Sequence, residues 1–192
     1  PLTVINNEAD EMEGERKELL LKQTSDISAS VEHYLSRARV FGMENVLGAR
    51  SQVRAVAEDL AFVMKRIYKD RNLEIDLSGL GNCYFRGESQ DLEEMLGNLL
   101  DNASKWASKR VIVHCKTGAQ RLRLAIEDDG PGIPEVKTEM VLQRGGKLDD
   151  TVAGQGRGLG IVRDIAGLYG GSLTLSQSGY GGLCAELDLP GG

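Results

Sequence analysis

The sequence predicts an α+β protein: a two-layer α/β sandwich preceded by an α-helical hairpin that completes a four-helix bundle with a second copy of itself. Three observations lead there. Apolar residues recur with helical spacing in some blocks and alternate with period two in others, so helices and strands come in runs rather than as regular βαβ units. The strand-like runs near the C-terminus are joined by short glycine turns, which suits antiparallel pairing. The N-terminal segment carries an apolar stripe that nothing within it can cover.

Taken in order, Leu2, Ile5, Ala9 and Met12 mark one helix face, with Pro1 tolerated in a first turn and Gly14 at the bend. Leu19, Leu20, Ile27, Val31, Tyr34, Leu35 and Ala38 continue the pattern from Glu15 to about Val40. These helices form an antiparallel hairpin over 1–41, and a homodimer through it is the simplest way to bury the stripe. Residues 42–50, with two glycines and no period, read as a linker. The second domain, 51–192, opens with a helix over Gln52 to Lys69 on Val53, Val56, Leu60, Val63, Met64 and Ile67. Alternating Leu73, Ile75 and Leu77 make a strand, and Tyr84 and Phe85 a shorter one. A helix covers Asp91 to Ala107, and Val111–Lys116 pairs with Leu122–Glu127 around Thr117-Gly118-Ala119-Gln120. After a glycine- and charge-rich stretch over 134–155, a helix spans Leu159 to Tyr169, and Leu173–Gln177 with Cys184–Leu189 closes the domain as a hairpin.

Composition narrows the function. The chain has 192 residues, 41% hydrophobic and 27% charged, enough for one ordinary domain with a helical appendage. No apolar run approaches membrane-spanning length and no signal-peptide pattern opens the chain, so these residues are expected in aqueous solution without membrane contact of their own. A net charge of −6, from 23 basic and 29 acidic residues, argues against a nucleic-acid surface. Cys83, Cys115 and Cys184 are widely separated and odd in number, so reduced thiols are expected rather than a zinc site or a disulfide framework. His33 and His114 lack partners in sequence and read as packing residues.

Three short motifs carry the chemistry. In Gly97-Asn98-Leu99-Leu100-Asp101-Asn102-Ala103-Ser104-Lys105, Asn98 and Asn102 share one helix face with Lys105 close by. Asn is a mediocre helix former, and its amide oxygen is a neutral ligand suited to Mg²⁺ beside phosphates that Lys105 would offset. The same residues would also serve as polar groups on an exposed face. Asp128-Asp129-Gly130-Pro131-Gly132-Ile133 follows a strand. A carboxylate at Asp128 can accept the exocyclic amine proton of adenine while Gly130 and Gly132 let a flat ring approach the backbone, although an ordinary Asp-Gly turn has the same letters. In Gly154-Gln155-Gly156-Arg157-Gly158-Leu159-Gly160, glycines alternate before a helix, so backbone N–H groups and the helix end can meet phosphates, or the loop is merely flexible. Arg144, Lys147 and Arg157 add positive charge to that segment or sit solvated on the surface. Jointly the three motifs describe a purine nucleotide site.

In these residues the chain resembles the catalytic domains of bacterial sensor histidine kinases, within the wider group of gyrase, Hsp90 and MutL ATPases. Asn98 to Asn102 is similar to the N box, Asp128 to Gly132 to the G1 box and Gly154 to Leu159 to the G2 box. Tyr34-Leu35-Ser36-Arg37-Ala38 resembles the second dimerisation helix of the PhoQ-type subgroup, and Val141 to Gly145 stands at its F box, with Leu142 where Phe is usual.

The resemblance implies a histidine-kinase/Hsp90-type ATP-binding fold. It puts ATP and Mg²⁺ as cofactors, with Asn102 on the metal, Asn98 and Lys105 near the phosphates, Asp128 on adenine and Trp106 beside the nucleotide. Residues 134–155 would form a lid, and Ile133, Gln155, Gly156, Gly158, Leu159 and Gly160 would line the site. Asn98 stands where the related ATPases have a water-activating Glu, which favours phosphoryl transfer over hydrolysis; Glu94, one turn earlier, retains a claim as a base.

Pro1-Leu2-Thr3 resembles the end of the phosphoacceptor box, so the acceptor His would precede Pro1 and this fragment is not expected to phosphorylate itself. The implied whole is the cytoplasmic part of a bacterial inner-membrane sensor that passes phosphoryl groups to a response-regulator receiver domain. An ATPase of the gyrase/Hsp90 kind and a non-catalytic nucleotide-sensing module are the alternatives. An anti-sigma-factor kinase would share the boxes and lack the hairpin.

Overall fold

A computed structural model describes residues 49–133 and 158–192. The expected hairpin at 1–41, the linker up to residue 48, and the residues from 134 to 157 lie outside this description, and with them His33, Arg144, Lys147, Gln155, Gly156 and Arg157.

The order of elements is β1 (Ser51–Gln52), α1 (Val53–Ile67), a 3₁₀ turn (Lys69–Arg71), β2 (Glu74–Gly79), β3 (Tyr84–Phe85), α2 (Ser89–Trp106), β4 (Arg110–Gly118), β5 (Arg121–Asp128), α3 (Gly158–Leu168), β6 (Ser172–Gln177) and β7 (Leu183–Pro190). Five strands form a sheet in the order β2-β4-β5-β7-β6, and β1 pairs with β3 apart from it. All pairings in the sheet are antiparallel except β2 with β4, which run parallel because α2 intervenes as a crossover. The turn joining β4 to β5 is tighter than the four residues expected: only Ala119 and Gln120, both at positive φ (46° and 66°), lie between the strands.

The period-two pattern sorts the sheet into two faces. In β7, Leu183, Ala185, Leu187 and Leu189 are buried while Cys184, Glu186 and Asp188 are half-buried on the other side. Leu122, Leu124 and Ile126 of β5 and Val111 and Val113 of β4 join the buried side. Against it pack α1, α2 and α3, with α2 central: Leu92, Met95, Leu96, Leu99 and Leu100 of this helix are fully or almost fully buried. Each such leucine contributes roughly 1.5–3 kcal/mol by leaving water, so α2 is held chiefly by its apolar stripe rather than by the propensities of its asparagines.

Two expectations are corrected here. Val63 and Ile67 belong to the predicted core stripe of α1, yet they are 45% and 61% exposed, beside Phe62 at 63%. Val63 lies at the margin of the stripe, and Ile67 is the last residue of the helix, beyond the layer it covers. Cys83 and Cys115, expected as reduced thiols, are joined as a disulfide. Cys83 follows β2 and Cys115 lies in β4, so the β2–β4 pairing brings together cysteines that are 32 residues apart, a proximity that spacing cannot reveal. Cys184 is free and half-buried.

Candidate functional site

The junction between α2 and β4 is the first part of the site to be fixed. Ser108, Lys109 and Arg110 each donate a backbone N–H to Asp129 Oδ1, at 2.8, 2.9 and 3.0 Å. Burial pushes the Asp129 carboxyl up, but these N–H groups outweigh it and hold the carboxyl below its ordinary range. At the same junction the Arg71 guanidinium donates to the carbonyls of Ser104, Lys105 and Ala107. A cation thus satisfies the carbonyls that the end of α2 leaves unpaired, and an anion satisfies the amides that follow. Neither residue stood out in the sequence, because a lone Arg and the second Asp of a pair carry no distinguishing pattern.

Asp128, the last residue of β5, faces the opposite way. It is on the helix-covered side with Leu122, Leu124 and Ile126 and is only 2% exposed. Its Oδ1 accepts N–H bonds from Gly130 (2.9 Å) and Leu183 (3.3 Å). Burial raises its pKa; the two N–H groups pull it down without cancelling that effect, and the charge of Asp129 raises it further. Oδ2 receives neither of these bonds.

Glycine is required around this carboxylate. A Cβ on Gly182 would collide with Asp128 Oδ1, Asp128 O and Gly130 N, and one on Gly130 would collide with the carbonyl of Trp106. Gly132 has φ of +68°, and a Cβ there would sit 3.2 Å from the carbonyl oxygen of Gly182. The Asp128–Gly132 turn is therefore pressed between the end of α2 and the loop that joins β6 to β7.

Asn98 marks the other limit. Its Nδ2 donates to the carbonyl of Glu94 at 2.8 Å, and a Cβ on Gly158 would lie 2.7 Å from its Oδ1, so the start of α3 sits against the Asn98 amide. Asn102, half-buried, lies one turn after Asn98 and one turn before Trp106. It falls between the α3 contact and the contact with the Asp128–Gly130 turn. Lys105 Nζ lies 5.5 Å from the centroid of the Trp106 ring, which is 38% exposed. Gly158, Leu159 and Gly160 are half-buried in the first turn of α3, and both Leu159 and Ile133 pack on the core. Glu94 is exposed on α2. His114 lies on the sheet's other face, its Nδ1 3.7 Å from Glu127 Oε1.

The residues that the motifs missed lie in the β6–β7 loop and its support: Ser178, Gly182, Leu183 and Glu127. The run Ser178-Gly179-Tyr180-Gly181-Gly182 signals a turn, but nothing local to it signals proximity to Asp128.

Comparison with known proteins bears on the family and the fold. Residues 87–192 match the family model described as histidine kinase-, DNA gyrase B- and HSP90-like ATPase. The chain is 38% identical over 194 residues to the sensor protein kinase CarS of Pseudomonas aeruginosa, covering 99% of this chain and 43% of that protein. It is 32% identical over 169 residues to the sensor protein PhoQ of Escherichia coli K12, covering 88% of this chain and 35% of that protein. The crystal structure of the ATP-binding domain of PrrB from Mycobacterium tuberculosis superposes with a TM-score of 0.63 at 27% identity, over 75% of this chain and 97% of that one. The chain thus spans less than half the length of the curated relatives it matches. With the family model covering more than half of its residues, the chain belongs to the histidine kinase-, DNA gyrase B- and HSP90-like ATPases, and its relatives are sensor histidine kinases.

Proposed function

We propose that this chain is the ATP-binding catalytic portion of a two-component sensor histidine kinase. The observation that carries the reading is the bracket around Asn102: α2 meets the start of α3 at Asn98 and the Asp128–Gly130 turn at Trp106. A nucleotide lying along α2 would reach both the amide pair and the carboxylate.

In this reading Asp128 Oδ2 accepts the N6 amine proton of adenine while Oδ1 stays with Gly130 and Leu183. Guanine presents a carbonyl at that position and is refused. The Asn102 amide oxygen is a neutral oxygen donor of the kind Mg²⁺ accepts, and Asn98 and Lys105 face the phosphates from the same side of α2. Mg²⁺, when bound, neutralises charge on the phosphate oxygens. The residues' own part is to orient the triphosphate for in-line attack by a histidine imidazole. With Asn98 where a hydrolase needs a base, the chain positions phosphates without activating water, and Glu94, one turn before Asn98, keeps a claim as a base. Residues 134–155, with Arg144 and Lys147, and the loop with Gln155, Gly156 and Arg157 would close over the phosphates.

The domain arrangement we favour is a dimerisation hairpin at 1–41, a linker at 42–50 and the catalytic domain at 51–192. The hairpin would pair two copies, and a receiver domain of a response regulator would take the phosphoryl group from the histidine. The protein that contains this chain would be an inner-membrane sensor with this part in the cytoplasm; no helix among the described residues is long and apolar enough to cross a membrane.

Calorimetric titration of the chain with ATP and Mg²⁺, followed by incubation with labelled ATP and a separate histidine-bearing dimerisation domain, tests the reading. Magnesium-dependent ATP binding with acid-labile label on the acceptor is the expected result. Steady phosphate release lost in Asn102→Ala would select the ATPase reading, and no nucleotide binding would select the interaction module.

A further inference from the structure

Glu127 precedes the buried carboxylate and points to the other face of the sheet, so consecutive residues grip the same loop from two sides. Its Oε2 accepts the Ser178 hydroxyl at 2.8 Å and the Gly179 N–H at 3.2 Å. Ser178 is 4% exposed, and its Oγ accepts the Tyr180 N–H at 3.0 Å while its backbone N–H donates to Gly182 O at 2.8 Å. Gly181 N–H closes the turn on Ser178 O at 3.1 Å. The loop so fixed then delivers Gly182 against Asp128 and Gly130, and the Leu183 N–H to Asp128 Oδ1.

We infer that Glu127 is a positioning residue for base recognition: through Ser178 it sets the β6–β7 turn, and the turn sets which way the Asp128 carboxylate faces. The inference rests on the proposed nucleotide reading and names a residue outside its motifs. The physical reason is that, among the described residues, two hydrogen bonds orient the Asp128 carboxylate, and one comes from Leu183 where this loop enters β7. A carboxylate free to rotate about its Cβ–Cγ bond presents either oxygen to the base and loses the difference between an acceptor held in place and one that must be ordered on binding. With glycines at 179, 181 and 182 the turn takes its shape from its own hydrogen bonds, and it is the Glu127 carboxylate that ties the turn so formed to the sheet.

The test compares ATP with purine riboside triphosphate, which lacks the N6 amine, in Mg²⁺-containing calorimetric titrations of the whole chain and of Glu127→Ala, Ser178→Ala and Glu127→Gln. Amide exchange at Leu183 is followed by NMR in the same proteins. Loss of the anchor should lower the preference for ATP over the analogue by about tenfold, the worth of one well-placed hydrogen bond, with affinity for the analogue unchanged. Exchange at Leu183 should accelerate in both alanine variants, and Glu127→Gln, which still offers an acceptor to Ser178, should recover most of the preference.

Equal loss of both nucleotides, or an unchanged preference with unchanged exchange, would overturn the positioning role. A wild-type chain that does not distinguish the two nucleotides would instead overturn the adenine reading, and Leu183 exchange would still report whether Glu127 governs the turn. If Glu127→Ala does not fold, Ser178→Ala and Glu127→Gln carry the same comparison, and an unchanged preference in Ser178→Ala counts against the inference.

Discussion

Asp128 and Asp129 are adjacent in the chain and serve two regions with opposite needs. At the α2–β4 junction Asp129 spends one oxygen on three backbone N–H groups and is pulled below the usual carboxylate range. At the β5–β7 margin Asp128 is more deeply buried, has two N–H partners on one oxygen, and is pushed up. The first is a strut whose charge is satisfied by the fold. The second is under-satisfied for its burial among the described residues, which costs stability; in the proposed reading the adenine amine would supply the further donor. In the proposed reading, the anion that supports the fold and the anion that recognises the base differ in their hydrogen-bond partners, not in their position in a motif.

Breaking that contrast at its strong end gives the largest effect. Asp128→Asn keeps an oxygen for Gly130 and Leu183 but turns the outward atom from acceptor to donor, against the adenine amine. ATP affinity should fall by roughly 100-fold or more, the worth of a charge-assisted bond plus a donor–donor clash, while Tm at neutral pH should not fall. Calorimetric titration and a thermal melt on the same sample check both halves. Gly182→Ala comes next, because its Cβ meets Asp128 and Gly130 together. It should destabilise the chain by about 1–3 kcal/mol in urea titration and also weaken ATP binding, since the loop cannot retreat without taking the Leu183 N–H with it.

At the other carboxylate the effects should separate. Asp129→Ala leaves three amides to solvent and should cost about 1–2 kcal/mol of stability, with ATP affinity within a few-fold of wild type. If Asp129→Ala abolished binding and Asp128→Asn did not, the assignment of roles would be reversed.

Acid titration gives the smallest and most diagnostic effect. Asp129, with its folded pKa lowered, contributes stability that is present above its unfolded value near 3.8 and is lost as pH falls through the lower folded value. Asp128, with its folded pKa raised, behaves in the opposite sense: the folded chain loses stability as pH rises from about 3.8 through the raised value, while ATP affinity increases over that same interval because the amine needs a carboxylate. The urea midpoint of Asp128→Asn should therefore gain on wild type as pH rises through this window, and that of Asp129→Asn should lose ground.

Much of this fold could be read from residue pattern. The buried stripe of α2 and the alternation in β5 and β7 are local consequences of helical and strand periods, so Leu96, Leu100, Leu124 and Leu187 could be assigned inward without knowing any neighbour. Of the site, Asn98, Asn102, Asp128, Gly130 and Gly158 are carried by short motifs in which backbone freedom or an unusual polar residue is itself the signal. Glu127, Ser178 and Leu183 are not, since the partners that join them to the site lie 51 to 55 residues away along the chain. Val63 and Ile67 show the limit in the core as well: periodicity tells which side of a helix is apolar, not where the layer it covers ends.

What the amino-acid order determined by itself was which residues form helices and strands, which side of each is apolar, and where glycine permits close approach, because those properties depend on neighbours within a turn or two. Only the tertiary structure decided that β2 runs parallel to β4, that Cys83 meets Cys115, and that one of two adjacent aspartates is enclosed while the other caps a junction. The reason is that burial and hydrogen-bond partners are supplied by distant segments, and a carboxylate takes its character from them.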